Sequence, residues 1–280
     1  MEIFSGHSRL VINSKRGGAI DELVLKGVQV IEFQENVHYQ ASLLFPFPNR
    51  LKKGSYNFEG KRYSFPHNDI KLPNALHGMV HNKQFIIVEQ SDSMAQLKFC
   101  YKGEEAYYPF PFNLFITYQL KETALDIAFE AINTGSCNLP CGFGWHPYFY
   151  TAKYENAQVK LPRLNQVEID QLMIPIGRKS PFYTFDTYES VSKHTLDSCF
   201  KLKKLGATNS SYLKPSNGNQ IEIWQDENFK FLQVFTPQEK TSVAIEPMTC
   251  NIDAFNNRDG LKVLAPDEKW RISFGVKLRQ

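Results

Sequence analysis

Two histidines and one glutamate, far apart in the chain, have the side chains that acid and base catalysis requires. His146 lies in a Gly-Trp-His-Pro segment, and an imidazole titrates near neutrality, so it can donate a proton at physiological pH. Glu246 ends an apolar run and is followed by proline, which predicts a carboxylate at the mouth of a sheet where the strand stops. Partial desolvation there would raise its pKa and make it a usable general base. His77 stands in a Leu-His-Gly segment, whose glycine allows a ligand or a strand to approach closely.

Other polar residues near these segments are candidates for binding rather than for proton transfer. Asn49 and Arg50 follow a Phe-Pro-Phe-Pro stretch, and the planar fork of arginine suits hydroxyls or carboxylates. Taken alone, Arg50 is more simply a surface charge, and a hydrogen-bonded core histidine explains His146 equally well. His81 follows His77 by four residues, but such a pair chelates a metal from one face of a helix. The extended surroundings argue against a helix, so we predict no metal site.

The elements that must position these residues are strands, because period-two alternation recurs along the whole chain. The clearest strand is the C-terminal one, with one apolar face formed by Trp270, Ile272, Phe274, Val276 and Leu278. The other predicted strands are 56–58, 63–65, 85–88, 96–101, 114–120, 124–131, 157–161, 220–224, 231–235 and 242–246. The segment 206–218, rich in Asn, Ser, Pro and Gly, is predicted to be a surface loop. These patterns predict an all-β protein, a large antiparallel β-sandwich of two sheets.

Composition narrows the class of protein further. The chain has 280 residues, without a repeat, low-complexity linker or composition break, which predicts a single domain over residues 1–280. The net charge of +3 is spread between acidic residues, so nucleic acid is not expected as a partner. The N-terminus lacks a signal-peptide pattern, and no apolar stretch approaches the ~20 residues of a membrane span, so we expect a cytoplasmic protein without a membrane partner. Five cysteines without paired CxxC spacing are typical of free thiols.

Taken in order, the polar segments resemble those of the aldose 1-epimerase family, the galactose mutarotase-like proteins. In that family an arginine follows an asparagine in an early loop, like Asn49-Arg50, and a histidine sits in a segment like Leu76-His77-Gly78. A second histidine precedes Pro-Tyr-Phe, as His146 does, and a late catalytic glutamate lies in a segment like 245–249. The stretch 196–200 matches the family's sugar-binding Leu-Asp-x-x-Phe less specifically and places Asp197. The resemblance extends over about 50–246.

The resemblance implies a two-sheet β-sandwich that interconverts the α and β anomers of a hexose without a cofactor. It implies catalytic roles for His77, His146 and Glu246, substrate binding by Asn49, Arg50 and Asp197, and a small-molecule sugar as the partner of a monomer or homodimer. Met79 follows Gly78 where His-Gly-Gly is usual in galactose mutarotases, which indicates a divergent bacterial branch. Two alternatives remain open: a hexose-6-phosphate 1-epimerase, with Arg50, Lys52 and Lys53 near the phosphate, or a non-catalytic carbohydrate-binding sandwich. Aromatic candidates for the apolar face of the sugar are Phe45, Phe47, Tyr148, Phe149 and Trp224.

Overall fold

The chain folds almost entirely into β-strands. A computed structural model describes residues 1–35, 37–216 and 218–279. Its strands are β1 (Glu2–Ser5), β2 (Ser8–Asn13), β3 (Ala19–Leu25), β4 (Val28–Ile31), β5 (Leu43–Leu44), β6 (Arg50–Leu51), β7 (Ser55–Phe58), β8 (Lys61–Ser64), β9 (Ala75–Leu76), β10 (Ile86–Gln90), β11 (Met94–Tyr101), β12 (Phe112–Lys121), β13 (Ala124–Asn133), β14 (Leu139–Cys141), β15 (Gly144–Trp145), β16 (Tyr148–Tyr150), β17 (Gln158–Lys160), β18 (Leu164–Ile169), β19 (Pro175–Phe182), β20 (Glu189–Ser190), β21 (Asp197–Leu202), β22 (Thr208–Lys214), β23 (Gln220–Asp226), β24 (Phe231–Phe235), β25 (Ser242–Met248), β26 (Lys262–Leu264) and β27 (Lys269–Arg279).

Helical structure is confined to short pieces. The α-helix α1 spans Ala254–Asn257, and 3₁₀ turns lie at Ser14–Arg16, Lys52–Gly54, Tyr154–Asn156 and Val191–Lys193. Across the described residues, none of the helices has the length and apolar character needed to cross a membrane.

One large sheet has nine strands in the order β10-β11-β12-β13-β27-β23-β22-β17-β20, all paired antiparallel. β12 buries every second side chain, and β13 does so from Leu125 onward, because one face of each strand points into the core. The five apolar residues predicted to share one face of the C-terminal strand are all buried. The predicted hairpins at β7-β8, β10-β11 and β12-β13 are also confirmed.

The second large sheet carries the polar segments singled out by the sequence. Its strands run β19-β18-β21-β24-β25-β15-β5, and β16 pairs with β25 beside β15. The two large sheets pack face to face through aromatic side chains, since the ring of Trp145 on β15 lies 5.3 Å from that of Phe274 on β27. One hydrophobic cluster includes residues of both sheets. The predicted all-β sandwich of two antiparallel sheets is therefore confirmed.

One predicted loop is wrong. Thr208–Lys214 forms β22, which pairs in continuous register with β23 from Thr208 opposite Asp226 to Leu213 opposite Ile221. Ser211 and Leu213 are buried while their neighbours are not, so the strand has an inner face despite its polar composition. Residue 217, at the end of the predicted loop, lies outside the described residues.

Candidate active site

His146 and Glu246 meet because the strand beside β25 is interrupted. β15 and β16 both pair with β25 and are separated by the dipeptide His146-Pro147. The register is set by two pairs, Gly144 with Met248 and Tyr148 with Ala244. Continuing that register across the gap places His146 opposite Glu246, and the imidazole Nε2 lies 3.4 Å from the carboxylate Oε1.

Glu246 does not end its strand, so that prediction was wrong. β25 continues through Pro247 to Met248, and Pro247 lies opposite Leu232 of β24. A proline cannot donate to a ladder, and Pro247 lies where the pairing of β25 with β15 ends, because the register places it opposite Trp145, the last residue before the interruption. Glu246 therefore projects from the middle of the sheet, with 2% of its surface exposed.

Burial acts in opposite directions on the two groups. It raises the pKa of Glu246 well above its ordinary value, with Asp197 adding to the shift and Arg50 opposing it. It lowers the pKa of His146 to about 4. Among the described residues, His146 Nδ1 and Glu246 Oε2 have no hydrogen-bond partner. Burial thus favours a neutral imidazole and a protonated carboxyl in this pair.

His77 and Asn49 hold each other through two hydrogen bonds. The His77 N–H donates to the Asn49 carbonyl at 2.9 Å, and the Asn49 N–H donates to His77 Nδ1 at 3.2 Å. Because Nδ1 accepts, the neutral imidazole carries its proton on Nε2. Both residues have left-handed backbones, with φ of 62° and 57°, a strain that the surrounding contacts must maintain. Burial, aided by the charges of His146, His81 and Arg50, keeps the pKa of His77 well below its ordinary value.

Glycine is required directly after His77. Gly78 has φ of +67°, and a Cβ there would lie 2.3 Å from the carbonyl oxygen of Phe45. This contact seats the histidine segment against the proline-rich stretch that leads to Asn49, which explains the Leu-His-Gly pattern.

Asp197 and Arg50 lie on the same cleft, each with a partner. Gln233 on β24 donates to Asp197 Oδ1 at 2.7 Å and accepts from the Asn49 amide at 3.3 Å. Burial raises the pKa of Asp197, while Arg50 and the bond from Gln233 lower it. The Arg50 Nε donates to Asp69 Oδ2 at 2.8 Å. The sequence interpretation missed Gln233, although a polar residue inside an otherwise apolar Phe-Leu-Gln-Val-Phe strand was a signal.

All six predicted site residues line one cavity of about 550 Å³. They are Asn49, Arg50, His77, His146, Asp197 and Glu246. Of the five aromatic candidates, Tyr148 lines the cavity, with its ring 4.9 Å from that of His146. Phe45, Phe47 and Phe149 are instead buried in the core. Within the described part of the chain, no three His, Cys, Asp or Glu side chains are grouped so that they could hold a metal ion.

The fold and the cleft define a class: a large two-sheet β-sandwich whose polar cavity holds a buried imidazole–carboxylate pair beside a second imidazole. The sequence model of the aldose 1-epimerase family matches residues 2–277. The chain therefore belongs to the aldose 1-epimerase family.

Relatives of known sequence are distant. The uncharacterized protein YihR of Escherichia coli (strain K12) is 21% identical over 284 residues, which cover 93% of this chain and 87% of YihR. Human galactose mutarotase is 25% identical over 194 residues, which cover 65% of this chain and 55% of the human protein. The predicted resemblance to this family is confirmed.

Solved structures share the fold. A galactose mutarotase-like protein from Clostridium acetobutylicum has a TM-score of 0.91 at 21% identity, covering 100% of this chain and 94% of its own. The GalM/aldose epimerase homologue from C. elegans has a TM-score of 0.86 at 14% identity, covering 100% and 98%. The sandwich is thus of the galactose mutarotase-like type.

Proposed function

We propose that this protein is an aldose 1-epimerase that interconverts the α and β anomers of a hexose. One observation carries the proposal: a buried imidazole and a buried carboxylate, His146 and Glu246, face each other at 3.4 Å in a cavity of about 550 Å³. A cavity of that size accommodates one pyranose ring. Membership of the family supports the same reaction class.

In the proposed reaction Glu246 removes the proton of the O1 hydroxyl while His146 donates a proton to the ring oxygen. The bond from C1 to the ring oxygen breaks, its electron pair leaves with that oxygen, and the C1–O1 double bond of the aldehyde forms. Rotation about C1–C2 presents the other face of the aldehyde, and reclosure returns both protons. O1 and the ring oxygen are bonded to the same carbon, so an acid and a base in mutual contact can each reach one of them.

The pair holds one proton before and after ring opening, because the proton that leaves His146 for the ring oxygen is replaced by the one that Glu246 takes from O1. His146 carries it before the ring opens, and Glu246 carries it afterwards. Burial raises the pKa of Glu246 and lowers that of His146, so the cleft favours the protonation state of the ring-opened sugar over the charged starting pair. Because the neutral pair is the favoured one, a proton must pass from Glu246 to His146 across their 3.4 Å contact before the ring opens.

The remaining polar groups are proposed to hold the sugar. His77 presents its Nε2–H as a fixed donor because Asn49 occupies Nδ1. Asp197 and Arg50 are assigned to ring hydroxyls, and Gln233 links Asp197 to Asn49 so that both keep their orientation. Groups restrained in this way lose little conformational freedom when substrate binds.

A phosphorylated hexose is a weaker candidate substrate. Lys52 and Lys53, which follow Arg50 in sequence, lie outside the residues that line the cavity. Arg50 is already ion-paired with Asp69 at 2.8 Å. Lys71 lines the cavity but is exposed. A phosphate would need charge-assisted hydrogen bonds from several free cations, so we favour a neutral sugar.

The proposal is tested by anomeric exchange NMR and polarimetry on freshly dissolved α-glucose and α-galactose. We expect acceleration well above the spontaneous rate for at least one neutral hexose, and a smaller effect on its 6-phosphate. The Glu246→Gln protein, purified in parallel, controls for contaminating mutarotase. Saturable sugar binding without acceleration would contradict the proposal and favour a non-catalytic carbohydrate-binding sandwich.

A further inference from the structure

Tyr39 stands among the histidines of the cleft, although no motif pointed to it. Its ring centre lies 4.6 Å from that of His77, 4.9 Å from that of His81 and 6.4 Å from that of His146. The rings of His77 and His146 are themselves 5.2 Å apart. Tyr39 thus packs against three imidazoles at once, two of them assigned to the proposed chemistry.

The backbone that carries Tyr39 is bonded to His146 on both sides. The Ala41 N–H donates to the His146 carbonyl at 2.9 Å, and the His146 N–H donates to the Ser42 carbonyl at 3.0 Å. Tyr39 closes the turn by accepting from the Ser42 N–H at 3.0 Å. The position of the Tyr39 ring is therefore fixed relative to His146 through the main chain.

Tyr39 is held in a conformation that a tyrosine rarely adopts. Its φ is 58°, in the left-handed region that few non-glycine residues adopt. The next residue, Gln40, is 1% exposed and accepts from the Gln34 N–H at 2.8 Å, and its amide donates to the Glu32 carbonyl. Strain maintained by anchored neighbours clusters at functional sites.

Tyr39 also borders two cavities. It lines the cleft of about 550 Å³ and a second cavity of about 350 Å³, whose wall includes His81 and Gly78. Removal of the ring would join the two spaces beside His77, which is only 5% exposed. Water would then reach that imidazole from the second cavity.

We propose that Tyr39 is a positioning residue, whose ring holds His77 against His146 and keeps water from both imidazoles. This inference deepens the proposed function and rests on it for its effect on turnover. The part that concerns His77 stands on the ring contacts and the two cavities alone. The phenol stays protonated, because burial and the charge of Asp69 raise the pKa of Tyr39.

Loss of the ring should change the protonation of His77. The charged and titratable groups that face His77 are His146, His81 and Arg50, and all three oppose its protonation. Burial is the larger cause, so added water should raise the pKa of His77 toward 6.5. A protonated Nδ1 cannot accept from the Asn49 N–H, so the bond that orients the imidazole would then be lost.

The test compares Tyr39→Asn with Tyr39→Phe. Asparagine tolerates a left-handed backbone, so Tyr39→Asn removes the ring without adding backbone strain. Tyr39→Phe keeps the ring and should restore the wild-type behaviour. Tyr183→Asn, at a tyrosine that is 64% exposed, is the matched control. Long-range ¹H–¹⁵N NMR follows the tautomer and titration of each histidine, and a His77→Gln sample assigns the signal of His77.

We expect His77 to stay in the Nε2–H tautomer from pH 8 to 5.5 in the wild type, in Tyr39→Phe and in Tyr183→Asn. In Tyr39→Asn it should titrate nearer 6.5, and kcat at pH 6 should fall about 10-fold with a smaller change in KM. An unchanged titration of His77 in Tyr39→Asn would overturn the inference. So would a Tyr39→Phe protein as impaired as Tyr39→Asn, because the hydroxyl would then be the important group. A wild-type protein without mutarotase activity would refute the proposed function, whereas the NMR comparison would still decide the role of Tyr39.

Discussion

Replacement of Glu246 by glutamine should separate catalysis from stability. The side chain keeps its size in a site where Glu246 is 2% exposed, and Oε1 keeps a neighbour, His146 Nε2, at 3.4 Å. An amide cannot accept the O1 proton, so the proposed base is lost while the shape of the cavity is kept. Loss of a general base costs roughly 10²- to 10⁴-fold in kcat, which corresponds to about 3 to 5 kcal/mol of barrier.

The same change should stabilise the protein at alkaline pH. Burial raises the pKa of Glu246 in the folded state, so the stability contributed by its neutral form is present below its ordinary pKa. That contribution is lost as the pH rises through the raised folded value, where a charge must be buried. Glutamine is neutral at every pH. The Tm of Glu246→Gln should therefore exceed that of the wild type at pH 8, and the difference should vanish near pH 4.

The loss of kcat is measured by polarimetry of α-galactose or α-glucose, corrected for the spontaneous rate. The change in Tm is measured by thermal melting followed by circular dichroism. Glu239→Gln is the matched control, because Glu239 is an exposed carboxylate at the same cavity. It should change neither property. A Glu246→Gln protein that retains activity within about 10-fold of wild type would refute the assignment of the base.

Three further outcomes are expected. His146→Asn should lose roughly 10²- to 10⁴-fold in polarimetric rate. The Tm of His146→Asn should also fall less steeply than that of the wild type between pH 6.5 and about 4. The neutral form of this buried imidazole contributes stability that is lost as pH drops through its folded pKa of about 4. A fall of Tm as steep as in the wild type would contradict this. Asp197→Asn should raise KM and leave kcat within a few-fold in exchange NMR, and a selective loss of kcat would contradict a binding role. Gly78→Ala should lower the free energy of unfolding, measured in urea, by about 1–3 kcal/mol, because a Cβ would meet the Phe45 carbonyl at 2.3 Å. The loss should be larger than in Gly177→Ala, the control, where φ is +81° but the space around a Cβ is open.

Most of the fold was predictable because one-sided burial imposes a period of two on each strand. β12, β13 and β27 each bury alternate residues, so their apolar pattern identifies them directly. β22 could not be recognised in this way, because its Thr-Asn-Ser-Ser start is typical of a loop. It is a strand because β23 offers it a complete ladder, and such pairing overrides local propensity.

The site was predictable where a motif marks it. Family motifs indicated His77, His146 and Glu246, and the structure brings them to one cavity. Gln233 was missed because no motif of the resemblance includes it, and Tyr39 because its segment has no periodicity. The strand end predicted at Glu246 was also wrong, because β25 continues through Pro247 to Met248. Proline usually ends a strand because it cannot donate to the ladder, but Pro247 lies at the end of the pairing between β25 and β15, and that end is set by residues a hundred positions earlier in the chain.

That interruption also links turnover to the integrity of the whole sheet. The proposed acid lies in the gap between β15 and β16 and the proposed base on β25, and the ladder pairs on either side of the gap hold them in register. A slip of β25 by one residue would turn the carboxylate to the opposite face of the sheet. The loss of activity on heating, followed by polarimetry, should therefore coincide with global melting. The polarimetric rate would then report the folded fraction of this chain.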